Sequence, residues 1–429
     1  MKSARSRAFL GLALVAAGLA GLALTGDLLH HLAWFVTFYG LAGAGFAVLA
    51  TAASSLPLRV AIVAAVILRL VFLPVMPSLS DDYHRYVWDG RVQEAGINPY
   101  KYRPYEHALD RVPYAQRDLI NHDWLRTVYP PLTEAVFYGV ARATRAVGLG
   151  EATASPARAE VIALKLVFGA FDLATAAAVW WLAAGRLRKQ ATVLYLLCPA
   201  VILPTWESAH AEAAAVFFCV LAAALLVRRR DGWAGAALGL AVAFKVTPLG
   251  LLIPALLGRR TSPLRFVAGF VPAFVIPYLP YLVTGGSYGS LFESGTRWTG
   301  GSVVFMLFAR FFSAEVSRWL ALAVFVAGAV WMARSIRGRE TTAAAFAWTL
   351  TLLTLCLPVV HAWYWLAPLA LGLAAGLWLQ ALIGMATPLM EVVPLAAWIS
   401  RLLPTHRIGA AARAGVALSA RRALAILRR

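Results

Sequence analysis

The feature that most limits what this chain can fold into is a series of long apolar runs. Ala8 to Thr25 carries no ionisable side chain, and the apolar segments 31–53 and 57–77 follow after short breaks. A stretch of about 20 such residues spans the hydrocarbon core of a bilayer, where each backbone N–H and C=O must be satisfied within the segment. Composition points the same way: 61% of the chain is hydrophobic, 14% is charged and mean hydropathy is +0.72, whereas a soluble domain is roughly half apolar and a quarter charged. A soluble enzyme, a secreted disulfide scaffold, a disordered chain and a nucleic-acid-binding module are excluded. The net charge of +19 comes from short Arg clusters between apolar runs. The bias of basic residues toward cytoplasmic loops explains them, and no nucleic acid partner is implied. Cys198, Cys219 and Cys356 lie in apolar stretches without a CxxC pair, which suggests neither a zinc site nor a disulfide framework.

Topology follows from the basic clusters. The basic segment Lys2 to Arg7 and the run behind it resemble a cleavable leader, but further spans follow at once, so it reads as a first membrane helix. With that end cytoplasmic, residues 1–77 form three membrane helices and 78–159 emerge as a first external loop. Within that loop, Pro131 to Gly148 is interrupted by Glu134, Arg142 and Arg145. Counting it as a span would place Arg186, Arg188 and Lys189 outside, so it reads as an interfacial helix on the outer surface. Residues 160–284 form a membrane core, in which 191–207 and 210–227 make a hairpin returning to Arg228, Arg229 and Arg230. Segment 232–257 is too short for two spans of about 20 residues each. Two short or broken helices meeting near Lys245, Thr247 and Pro248 are expected instead. Residues 285–315 form a second external loop and 316–380 the last membrane helices. In 381–429 an unassigned stretch precedes a basic tail from Arg401 that suits the anionic cytoplasmic surface. The expectation is an all-α polytopic membrane protein of roughly 10–13 transmembrane helices, with short interfacial helices in its external loop.

Chemistry concentrates on the external side. The first loop opens with the adjacent carboxylates Asp81 and Asp82, placed where the chain leaves the membrane. Such a pair serves as a general base on an acceptor hydroxyl or as a seat for a divalent cation. It equally serves as a solvated helix cap. Lys245 is an ammonium within an apolar segment, a placement that costs a few kcal/mol and is usually kept for function, snorkelling to an interface being the plain alternative. Lys165 stands near the end of its span, and there snorkelling is the better account. Glu207, His210 and Glu212 mark the external turn of the hairpin. Glu207 and His210 share a helical face at a spacing of three, suited to hydroxyl recognition or a proton relay. Tyr288, Glu293, Arg297 and Trp298 in the second loop are further candidates for sugar or phosphate contact.

Asp82-Tyr83 followed by Trp88-Asp89, then Gly96-Ile97-Asn98-Pro99-Tyr100, then Tyr129-Pro130-Pro131-Leu132-Thr133, resembles the first lumenal loop of the GT-C membrane glycosyltransferases. The pattern is similar to that of GPI mannosyltransferase I, the dolichyl-phosphate-glucose glucosyltransferases and bacterial enzymes of the glycosyltransferase 87 type. Asp172, the run Cys198-Pro199-Ala200 to Trp206-Glu207-Ser208-Ala209-His210-Ala211-Glu212, and Phe244-Lys245-Val246-Thr247-Pro248 continue the likeness in order over roughly residues 80–257. His361-Ala362-Trp363-Tyr364-Trp365 resembles the His-x-Trp-Tyr segment of bacterial members, although its aromatics also suit an interfacial belt. Two departures stand out. The acidic loop follows the third span rather than the first, and Ser80 occupies the first acidic place of the GPI enzyme's Asp-x-Asp-Tyr.

The resemblance implies inverting transfer of a hexose, mannose first, from a polyprenyl-phosphate sugar donor to a hydroxyl of a glycan or glycolipid acceptor at the non-cytoplasmic face. It implies Asp82 or Asp81 as base and Lys245 at the donor phosphate. Tyr83, Arg85, Trp88, Asp89, Tyr129, Glu207, His210, His361 and Tyr364 are the implied substrate-binding residues. No metal ligands or certain cofactor are implied, with a divalent cation left open. Membrane lipids are the remaining partners. A transporter or flippase of lipid-linked sugars, or an inactive scaffold of the same fold in an envelope complex, are the rival readings.

Overall fold

Helix boundaries fall where prolines and charges interrupt the apolar runs. The computed structural model describes residues 2–149, 157–258, 261–288, 290 and 302–389, and among these it is helical throughout, with no β-sheet. The N-terminal part comprises α1 (Lys2–Thr25), α2 (Leu32–Ala50) and α3 (Leu58–Leu70). The loop that follows α3 carries α4 (Asp82–Glu94) and α5 (Pro131–Ala146). Next come α6 (Arg158–Leu182), α7 (Leu187–Leu196), a short α8 (Pro199–Ile202) running into a π-turn at Leu203–Glu207, and α9 (Glu212–Val227). They are followed by α10 (Asp231–Phe244), a 3-10 turn at Thr247–Leu251, α11 (Leu252–Leu257), α12 (Pro263–Val275) and α13 (Leu279–Val283). The described residues end with α14 (Val303–Ala309), α15 (Ala314–Ser335), α16 (Arg339–Cys356), α17 (Leu366–Ala375) and α18 (Trp378–Ala386).

Among the described residues, five helices are long and apolar enough to cross a membrane, namely Ser3–Thr25, Leu32–Ala50, Arg158–Leu182, Pro263–Val283 and Ala314–Ser335. Five shorter apolar helices join them: Glu212–Val227, Asp231–Phe244, Thr247–Leu257, Thr341–Cys356 and Ala362–Ala375. The expected set of spans thus divides into full-length and broken members. The expected span 57–77 is a helix only to Leu70, because Pro74 and Pro77 cannot continue it. The expected strand of helix over 191–207 is broken at Cys198-Pro199. The expected break in 232–257 falls at Lys245, whose backbone is extended (φ −153°, ψ 140°) between α10 and the 3-10 turn. The tail from residue 390 lies outside the described residues.

Two polar devices inside this apolar frame decide where the loop after α3 starts. Arg69, fully buried near the end of α3, donates from Nε to Asp172 Oδ2 on α6 (2.7 Å) and from a terminal nitrogen to Oδ1 (3.3 Å). The same guanidinium donates to the carbonyls of Ala65 (3.1 Å) and Leu196 (2.6 Å), so it also holds the end of α7. Tyr195 O–H (3.0 Å) and Trp206 Nε1–H (2.9 Å) complete the shell of Asp172. The Trp206 ring reaches α6 because residue 169 is glycine: a Cβ there would lie 2.1 Å from the indole. The second device corrects the expectation for Lys165. It does not snorkel. It is 0% exposed, and its Nζ donates to the carbonyls of Phe72 (3.0 Å) and Val75. Those carbonyls lie past the end of α3, where the regular helical ladder has stopped, and the Phe72 carbonyl also accepts from Val75 N (3.2 Å). Lys165 is therefore a cap on the segment that leads to the loop.

The loop helices pack as a pair. α5 buries Pro131, Thr133, Glu134, Phe137, Val140, Ala141 and Thr144 at helical spacing and leaves Tyr138 exposed. Its closest approach to α4 is at Gly90, where a Cβ would sit 2.4 Å from the Phe137 carbonyl oxygen.

Breaking one half of a buried ion pair leaves an uncompensated charge and costs about 3–5 kcal/mol. Arg69→Met is accordingly expected to lower the thermal unfolding temperature of the detergent-solubilised protein by many degrees. Arg69→Met with Asp172→Leu should recover part of the loss, since Tyr195 and Trp206 would still lack an acceptor. A single-variant loss below about 1 kcal/mol would contradict this account of the network.

Candidate active site

The approach to the two carboxylates is clamped from the hairpin. Glu207 Oε1 accepts from Ser78 N (2.6 Å), Ser78 Oγ (2.8 Å) and Leu79 N (3.2 Å). Three residues later α4 begins, with Asp81 in the N-cap position and Asp82 in the first turn. The cap reading of these acids is set aside by their bonds: the Asp81 side chain makes no cap hydrogen bond. Instead the Asn121 amide donates to Asp82 Oδ1 (2.7 Å) and to Asp81 Oδ1 (2.9 Å). One NH₂ group thus holds both carboxylates by one oxygen each. The second oxygen of Asp82 lies 3.9 Å from His210 Nδ1, and the Asp82 side chain is 21% exposed. Burial pushes the Asp82 carboxyl above its usual range, and the neighbouring Asp81 charge adds to this. The Asn121 hydrogen bond, Lys245 and His122 oppose it. The chain bends sharply on both flanks. His122 (φ 49°) follows Asn121 and Ala209 (φ 58°) precedes His210, left-handed conformations that cost L-residues about 1–2 kcal/mol and collect at functional sites.

His210 is buried, with Nδ1 3.0 Å from the Tyr86 hydroxyl. Its ring stacks on Trp363 at 3.6 Å between centroids, and Trp363 stacks in turn on His361 at 4.5 Å. His210 Nε2 has no partner among the described residues. Beside this column, Lys245 Nζ lies 3.1 Å from Glu212 Oε2 and 5.1 Å from the centre of the Tyr364 ring. The helix break that frees Lys245 is fixed by Thr133 on α5, whose hydroxyl donates to the Phe244 carbonyl at 2.6 Å. A narrow cavity of about 20 Å³ opens next to the pair, lined by Glu212, Cys219, Thr247, Pro248, Thr354 and Tyr364 among others. This is about the space of one water molecule.

The structure therefore brings together Asp81, Asp82, His210, Lys245, His361 and Tyr364 from four separate parts of the chain. The other expected substrate contacts lie in the walls. Arg85 Nε donates to both oxygens of Asp89 (3.0 and 2.9 Å), and a terminal nitrogen donates to the Leu125 carbonyl (3.0 Å). Burial raises the carboxyls of both Asp89 and Glu134, and for Glu134 the Asp89 charge is the next cause. Gln93 (2.7 Å) and Thr127 (2.5 Å) donate to the Glu134 carboxyl. Trp88 packs with Val92, Ile97, Leu109, Val112 and Ile120 and holds the loop together. Tyr83 lies over His84, and Tyr129 meets Tyr86 edge-on. Glu207 is fully buried, its carboxylate taken by Ser78, Leu79 and Ser208. Asn98 and Tyr100 tie the loop to its surroundings, through the Tyr281 carbonyl (2.8 Å) and the Tyr129 carbonyl (2.5 Å). Tyr288 donates to the Tyr278 carbonyl (2.8 Å), while Glu293, Arg297 and Trp298 lie outside the described residues. Sequence reasoning missed Asn121, Tyr86 and the stacking role of Trp363. Only the short Asn121-His122-Asp123 run, polar within the loop, signalled the first of them. Among the described residues, no group of three or more His, Cys, Asp or Glu side chains is placed to hold a metal ion.

Residues 4–258 match the MptA_B family, described as alpha-(1->6)-mannopyranosyltransferase, N-terminal domain. No curated protein and no solved structure matches the chain. The matched segment contains Asp81, Asp82, His210 and Lys245, whereas His361 and Tyr364 lie beyond it.

If Asn121 is what keeps Asp82 chargeable in this setting, Asn121→Leu removes a bond that favours the carboxylate and raises the Asp82 pKa further. Infrared titration of the protein, with Asp82→Asn as the assignment control, should show the protonated-carboxyl band of Asp82 persisting to higher pH in the variant. An unchanged titration would mean that the amide has no hold on the acid.

Proposed function

Because the chain belongs to the alpha-(1->6)-mannopyranosyltransferase family over residues 4–258, we propose that it moves a mannosyl unit from a polyprenyl-phosphate donor to a hydroxyl of a glycan or glycolipid acceptor. The family match carries the mannosyl part of this reading. The donor and the inverting course rest on the juxtaposition of Asp82 with Lys245, and these and the non-cytoplasmic face on the likeness of the loop to GPI mannosyltransferase I and the glycosyltransferase 87 enzymes. The observation that carries most is the placing of a partly exposed acid beside a buried His210 and an ammonium in a helix break. A base for the acceptor and a cation for the leaving group are what this displacement requires.

In the proposed step the acceptor oxygen attacks the anomeric carbon while Asp82, or Asp81 beside it, takes the hydroxyl proton. The bond from that carbon to the phosphate oxygen breaks, and polyprenyl phosphate leaves with the electron pair. Lys245 stabilises the charge that grows on it. Inversion converts a β-linked donor into an α-linked product, in keeping with the linkage in the family's description. His210, Trp363, His361 and Tyr364 form the wall against which the sugar would lie. Arg85, Asp89, Trp88, Tyr83, Tyr129 and Glu207 hold the loop that carries the acids. The face is read from the bias of basic residues toward the cytoplasm: with the segment Lys2 to Arg7 on that side, the loop is directed outward.

The test is release of polyprenyl phosphate from labelled polyprenyl-phosphate mannose by the purified protein with an α-mannoside acceptor. Asp82→Asn is expected to lower turnover about 10²–10⁴-fold. Lys245→Met should lower it by about 10²-fold or more, with Lys245→Arg recovering only part. Lys101→Met, on the exposed loop surface, is the control that should stay within a few-fold. Lys165→Met does not serve, since that side chain caps the chain leading to the loop. Donor that is bound or moved across the bilayer without cleavage would overturn the reading.

A further inference from the structure

Glu212 is an acid to which the proposed transfer assigns no role, although it is paired with the Lys245 ammonium that would receive the donor phosphate. It is the first residue of α9, its side chain is 7% exposed, and it pairs with Lys245 at 3.1 Å. The groups that face it come from several elements. Lys245 stands at the end of α10, Asp82 and Tyr86 approach from α4, Cys219 lies two turns along α9, and Tyr364 and Cys219 line the cavity beside Glu212. His210 lies just before α9 and faces Asp82 rather than Glu212.

A phosphodiester carries one negative charge throughout the neutral range. Adding it beside Lys245 while Glu212 stays ionised would gather three anions, the phosphate, Glu212 and Asp82, around a single ammonium in a mostly buried site. Like charges at such distances raise one another's proton affinity, and a buried carboxylate that loses its cation is costly unless it is neutralised. Asp82 has to remain ionised to accept the acceptor's proton, so it cannot supply the relief. Resting on the reading of the donor given above, we propose that the donor phosphate displaces Glu212 from Lys245 and that Glu212 takes up one proton as the donor binds.

Glu212 is then a positioning residue with two effects. In the donor-free protein it holds the Lys245 ammonium at the mouth of the cavity, and during binding it competes with the phosphate for that ammonium. Once the phosphate leaves with its lipid, Glu212 loses the proton and recaptures Lys245, which favours release of the product. A merely structural ion pair would bind no proton on donor binding.

Calorimetry on the full-length protein in detergent, titrated with a short-chain polyprenyl-phosphate mannose in two buffers of different ionisation heat, counts the protons directly. The wild type is expected to take up close to one proton per donor at mildly alkaline pH, with its Kd rising toward tenfold per pH unit there, as one-proton linkage requires. Glu212→Gln should bind without proton uptake, with a Kd that is flat over the same range and lower than the wild type's at the alkaline end. Glu212→Asp keeps a carboxylate and should keep the uptake, which separates loss of the proton site from a general disturbance of α9. Binding of donor by the wild type without proton uptake, or uptake that persists in Glu212→Gln, would overturn the proposal while leaving the donor reading intact. Absence of donor binding by both proteins at every pH would overturn the donor reading and this proposal with it.

Discussion

The ion pair between Arg69 and Asp172 sets the frame on which the rest of the structure is built. A guanidinium in the middle of a bilayer protein is tolerated only when its nitrogens and its counter-ion find partners, and here they do. Asp172 accepts from Arg69, Tyr195 and Trp206, and Arg69 donates in addition to the carbonyls of Ala65 and Leu196. Four segments are locked by that cluster: the end of α3, the middle of α6, the end of α7 and the π-turn before α9. The π-turn carries Glu207 onto Ser78 and Leu79, and α6 carries Lys165 onto Phe72 and Val75. The chain entering the loop after α3 is thereby fixed within a few residues of Asp81 and Asp82. The candidate acids owe their position to a network buried below them.

Above that frame, the site is an electrostatic balance struck at low exposure. Burial and the Asp81 charge work against ionisation of Asp82, while Asn121, Lys245 and His122 work for it. A base for a sugar hydroxyl benefits from this balance, because a carboxylate with its affinity for protons raised abstracts one more readily. Strain is spent in the same place. Two of the non-glycine residues with positive φ, His122 and Ala209, directly follow and precede the side chains that approach Asp82. The column of His361, Trp363 and His210 supplies a flat face of the kind that pyranose rings pack against.

Much of this was legible in the sequence where the signal is long. The apolar runs gave a helical membrane protein, and the spacing of the Arg clusters around 232–257 required the break that the structure places at Lys245. The apolar stripe of α5, interrupted by Glu134, Arg142 and Arg145, emerges as a helix with one buried face against α4. What escaped is what depends on partners distant in sequence. Lys165 looked like a residue reaching for the interface, and only the folded chain shows the carbonyls of Phe72 and Val75 to which it donates. Arg69 lies inside an apolar run with nothing nearby in sequence to announce Asp172, 103 residues on. Asn121 sits in a loop without a motif, and its role exists only because the loop returns to the start of α4. Trp88 and Glu207 were recognisable as members of a pattern, but the pattern does not say whether a residue faces the cleft or builds its wall.

The central claim is that the donor phosphate is held by Lys245 with the anomeric carbon turned toward Asp82. Cryo-electron microscopy of the protein with a non-cleavable phosphonate analogue of a short-chain polyprenyl-phosphate mannose tests it most directly. The account expects the phosphonate within hydrogen-bond distance of Lys245 Nζ, Glu212 drawn away from it, and the mannosyl ring between His210 and Asp82. A phosphonate bound away from Lys245, with the pair of Lys245 and Glu212 intact, would contradict it.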